Sequence, residues 1–375
     1  MKIVFPYLAQ LHQVLHSLPI AAELAQRPGC EVEIAATQPA QLAFARRLVE
    51  AHAPQAPLRY RLLPLGPLDS LRLRLGLGAQ PWKHYLLAHN LRYFRSFDAV
   101  VTPERTSLLL KRMGLGGTRL IWTRHGAGDR EIGFADDVKH FDYVLMAGRK
   151  IEQRLLDAGL IRPGAYCSGI YAKFDWASLR GTRLFDNDRP TVVYNPHFRP
   201  SLSSWPKFGT AIIEAFARSA RYNLIFAPHV RLFDPPTAAD RALFERWSGH
   251  PNLLIDPGSE RSIDMSYTGA ADLYLGDVSS QVAEFVCEPR PCLFLNAHGV
   301  NWRADANYRF WAMGDVLDSV DALEASIDQA FARRPQYHEA QQAYVIETFD
   351  LPPGRRSAQR AAEAILAFLR PATGR

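Results

Sequence analysis

The run Leu273-Tyr-Leu-Gly-Asp-Val-Ser-Ser-Gln-Val-Ala-Glu-Phe-Val-Cys-Glu-Pro-Arg-Pro-Cys-Leu-Phe-Leu-Asn296 most constrains what this chain can fold into. It reads as an apolar strand, a tight Gly-Asp-Val-Ser-Ser turn, a short helix, and a second apolar strand after the paired prolines. A strand, a helix and a strand in that order build a parallel sheet covered on both faces. The turn sets Asp277, Ser279 and Ser280 at a helix N-terminus, beside the carboxyl end of a strand. Unpaired backbone N–H groups and the positive end of the helix dipole suit a phosphate there. The run therefore points to a phosphorylated donor.

The same alternation fills the rest of the chain. Strands are predicted at 1–8, 31–37, 58–63, 99–102, 119–123, 143–146 and near Cys167, with helices at 13–27, 41–51, 82–96, 104–113 and 149–158. A polar stretch, 183–189, holds Asp186, Asn187 and Asp188 and reads as a linker. Pro190-Thr-Val-Val-Tyr-Asn195 then opens a second series. Strands follow at 223–227, 252–255 and 273–275, with helices at 206–220, 237–247 and 262–270. Pro352-Pro-Gly354 interrupts the chain before a last helix at 356–369, and no short internal repeat is visible. The expected fold class is α/β: two doubly wound, Rossmann-like domains facing a central cleft, with ligands outside the carboxyl ends of the strands. The boundaries are 1–182 for the first domain, 190–350 for the second, and 351–375 for a C-terminal helix that packs back on the first.

Composition narrows the function classes. With 375 residues, 47% hydrophobic and 22% charged, the chain suits a soluble protein of two domains of roughly 150–180 residues. No window approaches the roughly 20 apolar residues of a membrane span. Met1-Lys-Ile-Val-Phe-Pro-Tyr reads as the start of a strand, not a signal peptide, so the expected compartment is the cytoplasm. Cys30, Cys167, Cys287 and Cys292 lack zinc or disulfide spacing, and no tightly bound cofactor or metal site is expected. Only a loosely held Mg2+ bridged by a donor is compatible with this pattern. Gly114-Leu-Gly-Gly117 follows a helix rather than a first strand, so it is no dinucleotide fingerprint, and Asp136-Asp137 is only half of a metal motif.

The formal net charge of +6 favours anionic partners. No zinc finger, aromatic RNA-binding motif or basic arm is present, so nucleic acid is not an expected partner. The stretch 58–95 sets Arg59, Arg61, Arg72, Arg74, Lys83, Arg92 and Arg95 among leucines, Trp82, Tyr85 and Tyr93. That mixture suits the surface of an anionic membrane; a helix packed on the sheet with a solvated basic face would carry it too.

Several polar residues fall where such sheets bind ligands. His125 follows a strand and precedes Gly126, which permits a sharp turn and a close ligand approach; an imidazole there can accept a proton at neutral pH. His229 follows Pro228 at the end of strand 223–227. Arg199 could hold phosphate oxygens through a bidentate contact, with His197 sharing the task. Glu284, one turn into its helix, could accept hydrogen bonds from ribose hydroxyls. Asp277 repels phosphate; it could orient His125 or His229, or bind a glycerol or ribose hydroxyl. Ser279 and Ser280 could also simply cap the helix.

Four motifs in order resemble the CDP-glycerol glycerophosphotransferase family, the group of GT-B-type transferases that includes teichoic-acid polymerases and primases. They are Trp122-Thr-Arg-His-Gly126, Val193-Tyr-Asn-Pro-His-Phe-Arg199, Ala227-Pro-His229 and Gly276-Asp-Val-Ser-Ser280. The resemblance covers about residues 95–345. Asn195 and His197 stand where the family carries Ala and Thr, and Val278 where it carries an aromatic residue. The resemblance implies an acceptor-binding first domain, a donor-binding second domain, and transfer of glycerophosphate from a CDP-activated donor to a lipid-linked or glycan hydroxyl. His125 would be the base, with His229 and Asp277 also in the catalytic set. His197, Arg199, Ser279, Ser280, Glu284 and Gly126 would bind the donor. The rival expectations are a GT-B glycosyltransferase using a nucleotide sugar, and a non-catalytic binder of a nucleotide or anionic glycan.

Overall fold

The computed structural model describes residues 1–8, 10–77, 81–124, 126–127, 134–177, 183–279, 281–352 and 354–370. The chain divides into two compact units: Met1–Gly126, Glu131–Trp176 and Thr348–Arg375 form the first, and Ala127–Arg130 with Ala177–Glu347 the second.

The first unit is built on seven parallel strands: β1 (Lys2–Tyr7), β2 (Glu31–Ala36), β3 (Arg59–Leu62), β4 (Ala99–Thr102), β5 (Arg119–Thr123), β6 (Tyr143–Leu145) and β7 (Tyr166–Cys167). Their order is β3-β2-β1-β4-β5-β6-β7. Its helices are α1 (His12–Ala25), α2 (Pro39–His52), α3 (Pro67–Arg74), α4 (Lys83–His89), α5 (Leu91–Phe94), α6 (Leu108–Arg112) and α7 (Arg149–Asp157). The central strands are apolar on both faces, as a sheet covered on both sides requires; β1 is buried from Ile3 to Tyr7. The helix predicted at 82–96 is two, divided at Asn90. That side-chain amide donates to the carbonyls of Pro64 and Leu86, competing with the helical ladder.

The second unit repeats the plan with β8 (Thr191–Asn195), β9 (Asn223–Phe226), β10 (Leu253–Ile255), β11 (Leu273–Gly276), β12 (Cys292–Leu295) and β13 (Asp315–Leu317), in the order β10-β9-β8-β11-β12-β13. Its helices are α8 (Trp205–Arg218), α9 (Ala238–Trp247), α10 (Ser266–Ala270), α11 (Gln281–Phe285) and α12 (Leu323–Phe349), the last two residues of which belong to the first unit. α8 turns Phe208, Ile212, Ile213 and Phe216 onto the sheet, where they join Tyr194, Phe226, Leu275 and Leu295 in one core. Neither β13 nor α12 is evident in the sequence. β13 is a three-residue edge strand, and α12 packs Leu323, Ile327 and Ala330 of its first turns into this core.

The last helix, α13 (Ser357–Leu369), lies against α1 in the first unit. α1 is therefore buried nearly all round, between sheet and helix, which suits the apolar run from Leu18 to Ala22. The Asp175 carboxylate accepts the backbone N–H groups of Ser357 (3.1 Å) and Ala358 (2.6 Å), an anion at a helix N-terminus. The Tyr171 N–H donates to the Ser357 hydroxyl, and Arg356 pairs with Glu23 on α1 at 3.1 Å.

Candidate functional site

In each parallel sheet the strand order reverses once, between β1 and β4 in the first unit and between β8 and β11 in the second. Doubly wound sheets bind ligands at the carboxyl ends of the strands beside such a reversal. In the second unit the residues leaving β8, β9 and β11 meet there.

The loops after β8 and β9 share one four-residue pattern: Pro196-His197-Phe198-Arg199 and Pro228-His229-Val230-Arg231. They also share its geometry. The backbone N–H of Arg199 donates to Nδ1 of His197 (3.0 Å), and that of Arg231 to Nδ1 of His229 (3.2 Å). An Nδ1 that accepts leaves the proton of a neutral imidazole on Nε2, a tautomer assigned here from its hydrogen bond. The loops are joined by the His229 N–H to the Pro196 carbonyl (3.0 Å) and by the Asn195 amide to the Ala227 carbonyl (2.6 Å). Phe198 sits between them, 4.5 Å from each imidazole, and the two imidazoles are 5.6 Å apart. The guanidinium of Arg231 lies 4.3 Å from the Phe198 ring, and that of Arg199 5.9 Å. His197 is fully buried, His229 partly so, and both arginines are exposed. The two guanidiniums and the partly buried His229 imidazole around one phenyl ring make a surface that favours a multiply charged anion, with His197 packed beneath it.

Asp277 is buried beneath this surface. One carboxylate oxygen accepts the N–H of His197 at 2.8 Å, the other that of Ser204 at 2.6 Å, where α8 begins. Burial pushes its pKa up to about 7, against the pull of those N–H donors. The Ser204 hydroxyl lies 2.9 Å from the Tyr194 hydroxyl. Trp311 approaches from the far side, with its Nε1 3.4 Å from the Asp277 carbonyl. Both carboxylate oxygens thus face backbone amides, which makes Asp277 a positioning group for the His197 loop.

The helix after the turn is short, as its sequence suggests. α11 is a five-residue turn of helix, so it lends little dipole to an anion, and Ser279 Oγ already accepts the N–H of Gln281. Ser280 lies outside the described residues. Glu284 is buried, only 5% exposed, and not on a solvated helix face.

In the first unit His125 also lies outside the described residues. Its neighbour Gly126 has a φ of +77°, which favours glycine. Trp122 is core: it stacks on Phe141 at 5.4 Å and donates to the Pro103 carbonyl at 3.3 Å. Arg124, largely buried, lies over Phe134 at 4.3 Å. Asp136 and Asp137 are taken up by Lys139 and Arg105, and no cluster of three metal-ligating side chains exists among the described residues. Phe198 and Arg231 were missed in the sequence. The signal that could have found them is the echo of Pro-His-x-Arg at the ends of adjacent strands, too short to register as a repeat.

Two doubly wound units of these strand orders define the GT-B type of α/β fold. Solved structures of that type match over nearly the whole chain. A variant of the wall teichoic acid polymerase TagF soaked with CDPG matches 98% of this chain and 88% of its own, with a TM-score of 0.64 and 15% identity. The UDP-GlcNAc 2-epimerase of Neisseria meningitidis bound to UDP-GlcNAc matches 98% and 99%, with a TM-score of 0.60 and 12% identity. MnaA of S. aureus with UDP matches 98% and 97%, with a TM-score of 0.60 and 12% identity. No protein-family model matches the sequence, and neither does any curated protein. At these identities the likeness is one of fold.

Proposed function

We propose that the chain is a GT-B-type transferase that moves a glycerophosphate, or a similar phospho-alcohol, from a CDP-activated donor to a hydroxyl of a lipid-linked or glycan acceptor in cell-envelope biosynthesis. The observation that carries this reading is the pair of Pro-His-x-Arg loops at the strand-order reversal of the second unit. The two exposed guanidiniums, with the partly buried His229 beside them, suit the diphosphate of a nucleotide-activated donor. The acceptor oxygen would attack the phosphorus that bears the glycerol; the new P–O bond forms as the bond to the bridging oxygen breaks, and CMP leaves. The acceptor proton passes to His125, a role that rests on its resemblance to the family's base. His229 and the arginines neutralise charge growing on the leaving phosphate, the usual source of catalysis in such displacements. Gly126, Ser279 and Glu284 are read as supporting the donor, and Asp277 as holding His197 in place. No step in this reading requires a tightly held metal. A cytoplasmic protein facing the inner membrane surface fits an acceptor of this class.

A second reading is favoured by the likeness to UDP- and UDP-GlcNAc-bound structures: a glycosyltransferase in which attack falls on the anomeric carbon of a nucleotide sugar. A melting-temperature panel of CDP-glycerol, CDP-ribitol, CDP-choline and UDP-, GDP- and CMP-sugars separates the two, because a ligand of the folded state raises stability with the logarithm of its concentration over Kd. Products then decide the chemistry: CMP with a phosphodiester, or a nucleoside diphosphate with a glycoside. A shift with UDP-sugars alone rejects the glycerophosphate reading. Tight binding without turnover of any donor rejects both.

A further inference from the structure

The first unit carries an amphipathic helix turned inside out. Along α3 and its C-cap, Leu68, Leu71 and Leu75 recur at the i, i+3, i+7 spacing of one helical stripe, the pattern that ordinarily faces a core. Here they face outward, 58%, 57% and 62% exposed. The residue α3 buries is its acid: Asp69 accepts the backbone N–H of Trp82 at 3.1 Å and pairs with Arg72 at 3.6 Å. Leu77 (68%) and Trp82 (57%) extend the apolar surface, and the Arg72 guanidinium lies 4.9 Å from the Trp82 ring. At 100° per residue Arg72 and Arg74 flank the leucine stripe on either side. An ordinary surface helix would not expose its leucines and bury its carboxylate.

Charge says what covers this face. The segment 58–95 holds seven Lys and Arg residues and a single acid, Asp69. The rest of the chain holds 37 of each sign, since the whole has 44 basic and 38 acidic residues. The entire formal excess of +6 is thus gathered in these 38 residues. Arg74 and Arg92 are exposed, with no ion pair among the described residues. An outward apolar stripe with cations beside it matches an anionic bilayer surface, where the leucines enter the acyl boundary and the guanidiniums meet phosphate headgroups. No helix among the described residues is long and apolar enough to cross a membrane, so the contact is one of lying on the surface.

We propose that α3 with Leu77 and Trp82 docks the chain on an anionic lipid surface. The idea stands apart from the donor chemistry above, which nucleotide melting shifts read separately. The test is co-sedimentation of the full chain with vesicles of phosphatidylglycerol mixed with phosphatidylcholine, and with phosphatidylcholine alone. The mixed vesicles should carry the protein down and the neutral ones should not. The double variant Leu71→Asp/Leu75→Asp should lose at least about tenfold in partitioning, since burial of two leucines is forfeited. Arg74→Glu/Arg92→Glu should lose a comparable factor together with most of its salt dependence. Both pairs change exposed side chains, and circular dichroism with a urea melt confirms folding. The proposal is overturned if wild type ignores both vesicles, if it binds them equally, or if the folded variants bind as well as wild type. A dimer in sedimentation velocity that the Leu→Asp pair abolishes, with vesicles ignored, would instead assign the stripe to a second copy.

Discussion

His197 donates its backbone N–H to the Asp277 carboxylate over 2.8 Å, tying the loop that leaves β8 to the turn that leaves β11. The bond spans 80 residues of sequence and lies where the strand order of the second unit reverses. The same carboxylate holds the N–H of Ser204 at the start of α8. One buried acid therefore fixes the imidazole loop and the helix behind it.

That acid gives stability a specific pH dependence. Burial raises the folded-state pKa of Asp277 from 3.8 to about 7. Below about pH 4 folded and unfolded chains both carry its proton; between about 4 and 7 only the folded chain does. Across that window its contribution falls as pH rises, by at most about 1.4 kcal/mol per unit. Asp277→Asn should remove this slope from melting curves. It should also cost about 1–3 kcal/mol at low pH, because an amide offers one acceptor where two N–H groups need partners. An unchanged slope would place the titrating group elsewhere.

Arg231→Ala separates charge from tautomer. The substitution removes the guanidinium beside Phe198 and keeps the backbone N–H that pins His229. Affinity for a nucleoside diphosphate should fall about tenfold with a weaker salt dependence, since a charged hydrogen bond is lost. His229→Ala should match that loss with little change in salt dependence. Calorimetry of CDP and UDP binding reads both.

Two glycines should respond differently. A Cβ on Gly276 would stand 2.9 Å from the Tyr274 hydroxyl and 3.0 Å from the Asn195 carbonyl oxygen. Gly276→Ala should therefore cost about 1–3 kcal/mol in urea unfolding and displace the turn that bears Asp277. A Cβ on Gly126 meets nothing within 4 Å, but its φ is +77°. Gly126→Ala should cost only about 1 kcal/mol, the strain of a left-handed backbone.

Asp175→Ala should loosen the C-terminal helix. Its carboxylate accepts two N–H groups at the start of α13, and losing such a cap costs about 1–2 kcal/mol. Amide exchange should rise along α13 before it rises in β1. Uniform exchange in the variant would mean that apolar contacts with α1 hold the helix unaided.

The fold class was legible because its signals are local. β1, β8, β11 and β12 are short runs apolar on both faces, and the helix of α8 repeats its apolar residues at helical spacing. The breaks at Asn90 and before α10 were not legible. They depend on where a side chain finds a partner: the Asn90 amide at the Pro64 carbonyl, and the Asp264 carboxylate at the Ser266 N–H. Asp277 read as a group facing ligand, since nothing in sequence reveals that both its oxygens meet amides from a loop 73 to 80 residues away.

By itself the sequence determined two parallel, doubly wound sheets and the positions of His197, His229 and Asp277 just past strand ends, because strand and helix periodicity is written in neighbouring residues. Only the tertiary structure decided that His197 and His229 share one phenyl ring, that Asp277 is buried as a tie, and that the leucines of α3 face outward. Those outcomes follow from strand order and from which surfaces remain after packing, and neither is encoded in any one stretch of chain.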